Sequence, residues 1–191
     1  TSRVERAFGS RYDRSRKRRG RASFHPCDHE LCVGSTPHLR PVRILLLDNY
    51  DSFTWNLHHL LAPHAAVDVV LNDAITVEEA ARYDRIVLSP GPGMPNEAGI
   101  LMEVVEKLMP THPMLGVCLG MQALVEVCGG ALYNQERVMH GIAVPCTSLP
   151  PVDPLFVGLP STFEVGLYHS WAADRKTMPD ELRVTALSDT G

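Results

Sequence analysis

The chain has 191 residues, 45% of them hydrophobic and 21% charged, which is enough apolar material for one globular domain with a sizeable core. Residues 1–43 carry 11 of the 18 basic residues, whereas residues 44–191 have seven basic and 18 acidic residues, a net charge of −11. Because phosphate binding depends on Lys and Arg, the acidic part is a poor nucleic-acid binder. The longest uncharged stretch, residues 108–125, contains prolines, glycines and a glutamine, so it is a poor membrane span. Five cysteines without regular spacing fit a reducing compartment, and we expect a cytoplasmic protein.

Residues 1–40 form a basic leader that we expect to be disordered, because the run over Arg14–Arg21 repels itself and has no apolar periodicity. The alternatives are a nucleic-acid or targeting tail and sequence translated upstream of the true start. Four side chains in this leader could bind a metal ion, but they lack the two ligand pairs of structural zinc sites: His25, Cys27, His29 and Cys32. The chain begins at Thr1, without Met, and ends soon after a strand-like segment at residues 182–187. We therefore expect a domain over residues 41–191 that is incomplete at its C-terminus.

Short apolar runs alternate with helical patterns from Ile44 onward. Four runs predict buried strands, at residues 44–47, 67–71, 86–88 and 114–117. Helices are predicted over about 53–61, 97–109 and 120–128, with Asp51 or Ser52 capping the first. A capping box at Thr76–Glu79 predicts another short helix. This alternation predicts an α/β fold, with an open, mainly parallel, flavodoxin-like sheet and helices on both faces. Shorter strands and proline-rich loops follow residue 130.

The segment Gly116–Gly120 has the spacing of a nucleophile elbow, G-x-S-x-G, with Cys118 in the serine position. In such an elbow a strand turns abruptly into a helix, and the glycines are needed because the turn leaves no room for side chains. The helix N-terminus is expected to favour the thiolate and a neighbouring oxyanion. The alternative is a small apolar cysteine in a core strand. Cys128 and Cys146 lack this setting and are expected to be structural.

The loop Ser89–Gly93 closes the strand before the elbow and is expected to face it, because ligands bind at the carboxyl ends of parallel strands. Its glycines leave backbone amides open to a ligand. A dinucleotide loop is disfavoured because Asn96 stands where a third glycine is expected, and no Gly-Lys-Ser/Thr follows to make a P-loop. A plain turn is the alternative.

Six histidines could act as a base, and the last two lie in the loop-rich second half: His58, His59, His64, His112, His140 and His169.

Five ordered motifs from Arg43 to Gly191 together resemble class I glutamine amidotransferases, specifically the small subunits of anthranilate synthase and aminodeoxychorismate synthase. They are D-N-Y-D-S-F at 48–53 with Asn56, L-S-P-G-P-G at 88–93, G-V-C-L-G-M-Q at 116–122, H-G at 140–141 and Y-H-S at 168–170. The opening motif separates this branch from the amidotransferase domains of GMP synthase, CTP synthase and carbamoyl phosphate synthetase.

The resemblance implies that Cys118 attacks the side-chain amide of L-glutamine, forming a thioester and releasing ammonia to a chorismate-binding partner subunit. It implies an oxyanion hole from the backbone amides of Gly93 and Leu119. The residues that it implies for holding glutamine are Gly91, Pro92, Gly93, Gln122, Ser170 and the backbone of Trp171. No cofactor and no metal ion are implied.

Two departures from the family pattern stand out. Trp171 replaces the leucine that usually follows the Y-H-S motif, and the His-Pro-Glu motif that carries the family's catalytic His and Glu does not occur in the sequence. His140 and His169 match other motifs, so the base role is not transferred to them. Three functions remain: a glutaminase subunit of either synthase, nearly inactive as the chain stands; a non-catalytic partner-binding subunit; and an unrelated cysteine hydrolase, which would leave D-N-Y-D-S-F unexplained.

Overall fold

The computed structural model describes residues 40–136 and 140–189. The predicted leader, with its four candidate metal ligands, lies outside the described residues except for Arg40. That side chain forms a bidentate ion pair with Asp84 on the surface of the domain. Within the described ranges, no helix is both long and apolar enough to cross a bilayer.

A parallel sheet of four strands forms the centre of the domain. In chain order the strands are β1 (Arg43–Asp48), β2 (Ala66–Leu71), β3 (Arg85–Leu88) and β4 (Met114–Gly116). Their spatial order is β2-β1-β3-β4, and every neighbouring pair is parallel. This confirms the predicted α/β fold, and it places the carboxyl ends of β3 and β4 side by side at one edge of the sheet.

Helices cover both faces of this sheet, as predicted. The four are α1 (Thr54–Leu61), α2 (Val77–Ala80), α3 (Leu101–Leu108) and α4 (Leu119–Val127). Leu45 and Leu47 of β1 belong to the core with α2, α3 and α4, whereas Leu46 points to the opposite face and packs with α1. All three leucines are fully buried, which explains why β1 is continuously apolar.

Five short strands follow α4 and form two antiparallel sheets. The strands are β5 (Leu132–Asn134), β6 (Ile142–Ser148), β7 (Thr162–Leu167), β8 (Trp171–Ala173) and β9 (Ala186–Ser188). Strand β5 pairs with β8, and β6 lies between β7 and β9. The β5–β8 pair brings the segment after Tyr168 back to the helix that follows the predicted elbow.

Several predicted boundaries were wrong. Helix α3 begins at Leu101 rather than at about residue 97, because Gly99 adopts a φ of +53° and packs against Asn72. A short 3-10 helix at Pro95–Glu97 precedes it. Helix α1 begins at Thr54 without a side-chain cap, although the Asp51 carboxylate accepts the Phe53 N–H.

The predicted strand at residues 182–187 is also wrong in extent. Only its last two residues are extended, in β9, since Leu182 closes a turn onto Pro179. The predicted strand at 114–117 ends one residue early, at Gly116.

Candidate active site

Cys118 lies at the tip of a sharp turn between β4 and α4. Its backbone has φ 52° and ψ −107°, a conformation that residues with a side chain rarely adopt. Strand β4 ends at Gly116 and α4 begins at Leu119, so only two residues join them. This strained strand-to-helix turn is the geometry predicted for an elbow.

The glycines on either side of Cys118 are required by the packing. A Cβ on Gly116 would lie 2.5 Å from the backbone of Gly120, and a Cβ on Gly120 would lie 2.5 Å from the carbonyl oxygen of Leu88. Real Cβ atoms do not approach backbone so closely. The turn therefore has no space for a larger residue at either position, as the sequence pattern predicts.

Two opposing effects act on the pKa of Cys118. Burial raises the pKa of the Cys118 thiol above its ordinary value, and the negative charge of Asp51 adds to this effect. The backbone N–H of Leu119, at the start of α4, lowers the same pKa but does not outweigh the burial. The start of α4 therefore favours the thiolate, as expected, but burial outweighs this effect and the net pKa is raised.

The Ser89–Gly93 loop follows β3 and lies against the elbow. Gly91 is wedged into this contact: a Cβ on it would lie 2.6 Å from both the Asn49 Cβ and the Leu119 Cδ2. Gly93 adopts a φ of +75°, which favours glycine. The Glu97 carboxylate accepts the backbone N–H of Met94 and so holds the end of the loop. The loop therefore packs closely against the elbow, a contact that a plain turn would not require.

One pocket joins the elbow, the Ser89–Gly93 loop and the segment before β8. The residues that line it are Gly91, Pro92, Gly93, Cys118, Gln122, His140, Tyr168, His169, Ser170 and Trp171. Apart from Leu119, every residue that the resemblance implies for the site lines this pocket. Leu119 is buried under the turn, and its backbone N–H faces the Cys118 thiol.

Gln122 connects the two sides of the pocket. It lies one turn into α4 and is 4% exposed. Its Nε2 donates a hydrogen bond to the backbone oxygen of Trp171 at 2.9 Å. Trp171 thus contributes through its backbone, a contact that does not depend on the leucine usual at this position in the family.

Two histidines also line the pocket. Burial lowers the pKa of His169, and nearby His140 lowers it further. A lowered pKa keeps the His169 imidazole neutral at neutral pH, a form that can accept a proton. The other candidate bases lie elsewhere in the described structure: His58, His59 and His64 are on or just after α1, and His112 contacts the carbonyl of Ala81.

Some residues of this region were missed by the sequence analysis. Tyr168 lines the pocket, and its ring packs 5.9 Å from that of Phe53, joining the Y-H-S and D-N-Y-D-S-F motifs at the rim. Asn49, Asn72 and Ser89 form a buried polar network behind the Ser89–Gly93 loop. The sequence analysis expected the Ser89–Gly93 loop to face the elbow, but no local pattern indicated that these other side chains would be in contact.

Comparison with known proteins agrees with this geometry. The family described as glutamine amidotransferase class-I matches residues 45–191. Anthranilate synthase component 2 of Pseudomonas aeruginosa is 43% identical over 146 residues, which are 75% of this chain and 72% of that protein. Aminodeoxychorismate synthase component 2 of Escherichia coli is 42% identical over 150 residues, covering 77% of this chain and 79% of that protein.

A solved structure shares the fold. The crystal structure of a glutamine amidotransferase from Thermotoga maritima aligns with a TM-score of 0.63 at 18% sequence identity, covering 78% of this chain and 67% of that one. At this identity the similarity concerns the fold alone.

Proposed function

Because the chain belongs to the class-I glutamine amidotransferase family, we propose that it binds L-glutamine in the pocket beside Cys118 and uses that thiol as its nucleophile. The observation that carries the proposal is the strained backbone of Cys118, held at the mouth of a two-glycine turn and facing the pocket. A structural cysteine needs no such conformation, because a core strand accepts it without strain.

The proposed reaction begins when the Cys118 thiolate attacks the side-chain amide carbon of glutamine. The tetrahedral intermediate collapses with cleavage of the C–N bond, and ammonia leaves after accepting a proton. The remaining γ-glutamyl thioester is hydrolysed by water to glutamate and free thiol. Since the pKa of Cys118 is raised, the thiol needs a base to remove its proton at neutral pH.

Backbone amides are proposed to stabilise the oxyanion of the intermediate. Leu119 fits this role because its N–H already faces the thiol at the start of α4. Gly93 fits because it lines the same pocket, and its positive φ is a conformation that favours glycine. The side-chain and backbone groups proposed to hold glutamine are those of Gly91, Pro92, Gln122, Ser170 and Trp171.

We propose a chorismate-binding synthase subunit as the acceptor of the ammonia. The relatives that support this are components 2 of anthranilate synthase and of aminodeoxychorismate synthase, at nearly equal identity. Anthranilate synthase is our principal proposal and aminodeoxychorismate synthase the alternative. Purifying the chain after co-expression with each large subunit separates them: the true partner co-elutes at equal stoichiometry, and the wrong one does not.

The 191 residues contain no His-Pro-Glu motif, and we propose that this chain by itself is nearly inactive as a glutaminase. Loss of one member of a catalytic triad typically lowers turnover by about 10³-fold or more. The alternative, a non-catalytic subunit that binds glutamine and its partner, is disfavoured by the intact elbow, Gln122 and Ser89–Gly93 loop. His140 and His169 lie in the pocket, so they are the residues that a contrary result would implicate.

Ammonia release from glutamine, with the large subunit present, tests these proposals. We expect turnover at least about a thousandfold below that of a version extended by a family-like segment that contains His-Pro-Glu. Cys118→Ser should abolish the turnover of the extended version. Robust turnover by the 191-residue chain that is lost in His140→Ala or His169→Ala would make that histidine the base and overturn the inactivity proposal.

A further inference from the structure

A buried amide stands behind the Ser89–Gly93 loop, in a motif that the proposed chemistry does not use. Asn49 directly follows β1 and is 2% exposed. Strands β2 and β3 flank β1 in the sheet, and the residues that directly follow them are Asn72 and Ser89, which are 4% and 0% exposed. A polar side chain is seldom buried so completely unless its hydrogen-bonding groups are satisfied.

Asn49 uses its polar groups to tie these three strand ends together. Its backbone N–H donates to the Ser89 Oγ at 2.9 Å, and its Nδ2 donates to the Ser89 backbone oxygen at 2.9 Å. Its Oδ1 accepts a hydrogen bond from the Asn72 Nδ2 at 3.0 Å. The Ser89 hydroxyl in turn donates to the Pro90 oxygen. The position of Ser89, the first residue of the loop, is therefore fixed by both the backbone and the side chain of Asn49.

Asn49 also contacts the part of the loop that faces the elbow. Gly91 sits so close to the Asn49 Cβ and the Leu119 Cδ2 that a methyl group would lie 2.6 Å from each. Gly91 is therefore packed closely against both Asn49 and Leu119, whose N–H faces Cys118, so a shift of Asn49 towards the loop would displace Gly91. An apolar residue could fill the same volume, but it would leave the Ser89 oxygen and the Asn72 amide without their partner.

We infer that Asn49 is a positioning residue. It sets the distance between the Ser89–Gly93 loop and the elbow, and so positions glutamine in the pocket. The inference rests on the proposed function, since it concerns how the same pocket recognises its substrate. Asn49 is the second residue of D-N-Y-D-S-F, and in this role it acts through Ser89 and Gly91 and does not touch the substrate.

The test compares two labelling reagents on Cys118. A chloroketone analogue of glutamine must occupy the pocket before it alkylates the thiol, whereas iodoacetamide needs only access to the thiol. In Asn49→Asp the shape is kept, but an oxygen replaces the Nδ2 donor and faces the Ser89 oxygen. We expect the ratio of the chloroketone rate to the iodoacetamide rate to fall about tenfold, the size expected for the loss of one buried hydrogen bond. Most of this fall should come from weaker binding of the chloroketone, seen as a higher concentration needed to saturate the labelling rate.

Three further variants separate positioning from stability. Asn72→Ala removes only one bond of the network and should lower the ratio by a smaller factor, which keeps the test available if Asn49→Asp does not fold. Asn56→Asp makes the same chemical change at an exposed position of α1 and should leave the ratio unchanged. Val104→Ala lowers the melting temperature by emptying part of the buried core under α3, and it should also leave the ratio unchanged.

Two results would overturn the inference. One is an unchanged ratio in Asn49→Asp or, where that variant is unfolded, in Asn72→Ala. The other is an equal fall in Val104→Ala, which would mean that the ratio reports only general stability. A failure of the proposed function gives a different result, because the unsubstituted chain would then show no chloroketone labelling that glutamine prevents, and both proposals would fall.

Discussion

The Gln122 side chain donates from Nε2 to the backbone oxygen of Trp171 at 2.9 Å, across 49 positions of the chain. This bond connects α4, which begins at the elbow, to β8 of the small antiparallel pair. Because Gln122 is almost fully buried, water cannot easily replace it as the partner of the Trp171 carbonyl. The two sides of the pocket are thus joined by a partly buried hydrogen bond.

Replacing Gln122 should destabilise the domain as well as the pocket. Gln122→Ala leaves the Trp171 carbonyl without its partner, and we expect a loss of about 1–3 kcal/mol in the free energy of unfolding. Urea unfolding followed by circular dichroism measures this. Met121→Ala, at an exposed position of the same helix, is the matched control. Equal stability of the two variants would show that the bond contributes nothing.

The strain at Cys118 predicts an order of stability between two variants that both delete the thiol. Cys118→Ala keeps a Cβ at φ 52°, whereas Cys118→Gly removes it. A strained conformation costs about 1–3 kcal/mol, and glycine relieves this cost in the folded state. The greater conformational freedom of glycine in the unfolded state offsets about 0.5–1 kcal/mol of the stability that is gained. We expect Cys118→Gly to be more stable by about 1 kcal/mol in urea unfolding. Greater stability of the alanine variant would contradict a strained elbow.

The raised pKa of Cys118 sets the direction of its pH dependence. The thiolate is the reactive form, and a raised pKa lowers the thiolate fraction at neutral pH. The iodoacetamide rate at Cys118 should therefore keep rising with pH through the alkaline range. Its midpoint should lie above that of a small reference thiol measured in the same buffers. A rate that is already level at pH 7 would mean that α4 lowers the pKa more than burial raises it.

Cys118 should nevertheless be labelled faster than the other two described cysteines. Burial raises the pKa of Cys128 and Cys146 as well, and in each a nearby carboxylate raises it further. Only Cys118 among these three has a backbone N–H that lowers its pKa, and it alone lines the pocket. Limited alkylation and peptide mapping test this, with Cys27 and Cys32 scored separately. Labelling of Cys128 or Cys146 at an equal rate would refute it.

We propose that the leader is separate from the domain, and removal of residues 1–39 should therefore leave the domain folded. The deletion retains Arg40 and its exposed ion pair with Asp84, a type of pair worth at most about 1 kcal/mol. We expect a change of only a few degrees in the melting temperature, measured by differential scanning calorimetry. A large fall would mean that the leader packs on the domain.

Local patterns predicted the parts of this fold that depend on neighbouring residues. The apolar run of β1 and the capping box at Thr76 concern side chains within a few positions of each other, and both are present in the structure. The glycines of the elbow were likewise explicable from local sterics, since Gly116 packs against Gly120.

Features that depend on distant contacts could not be predicted in this way. Helix α3 begins late because Gly99 packs against Asn72, a residue from another strand end. The pKa of Cys118 depends on how deeply the folded domain buries the thiol, and this burial outweighs the effect of the Leu119 N–H at the start of α4. Asn49 and Ser89 are 40 positions apart, so nothing in either motif indicated their contact.

The β5–β8 pairing has a consequence for the order in which the chain folds. Leu132 pairs with Ala173, and this pairing must form before this side of the pocket exists. The pairing of Ile44 with Arg85 spans the same 41 positions, but β1 and β3 are buried in the core whereas β8 is only partly buried, so burial of apolar surface favours β1 and β3 first. We expect the nucleophile to be set in its turn while the glutamine pocket is still open. In pulsed hydrogen exchange during refolding, amides of β1 and β3 should gain protection before those of β8, and the reverse order would refute this. In a chain emerging from the ribosome, the elbow would then be folded before the binding site is complete. The Cys118 thiol would therefore be exposed to solvent before the pocket could bind its substrate.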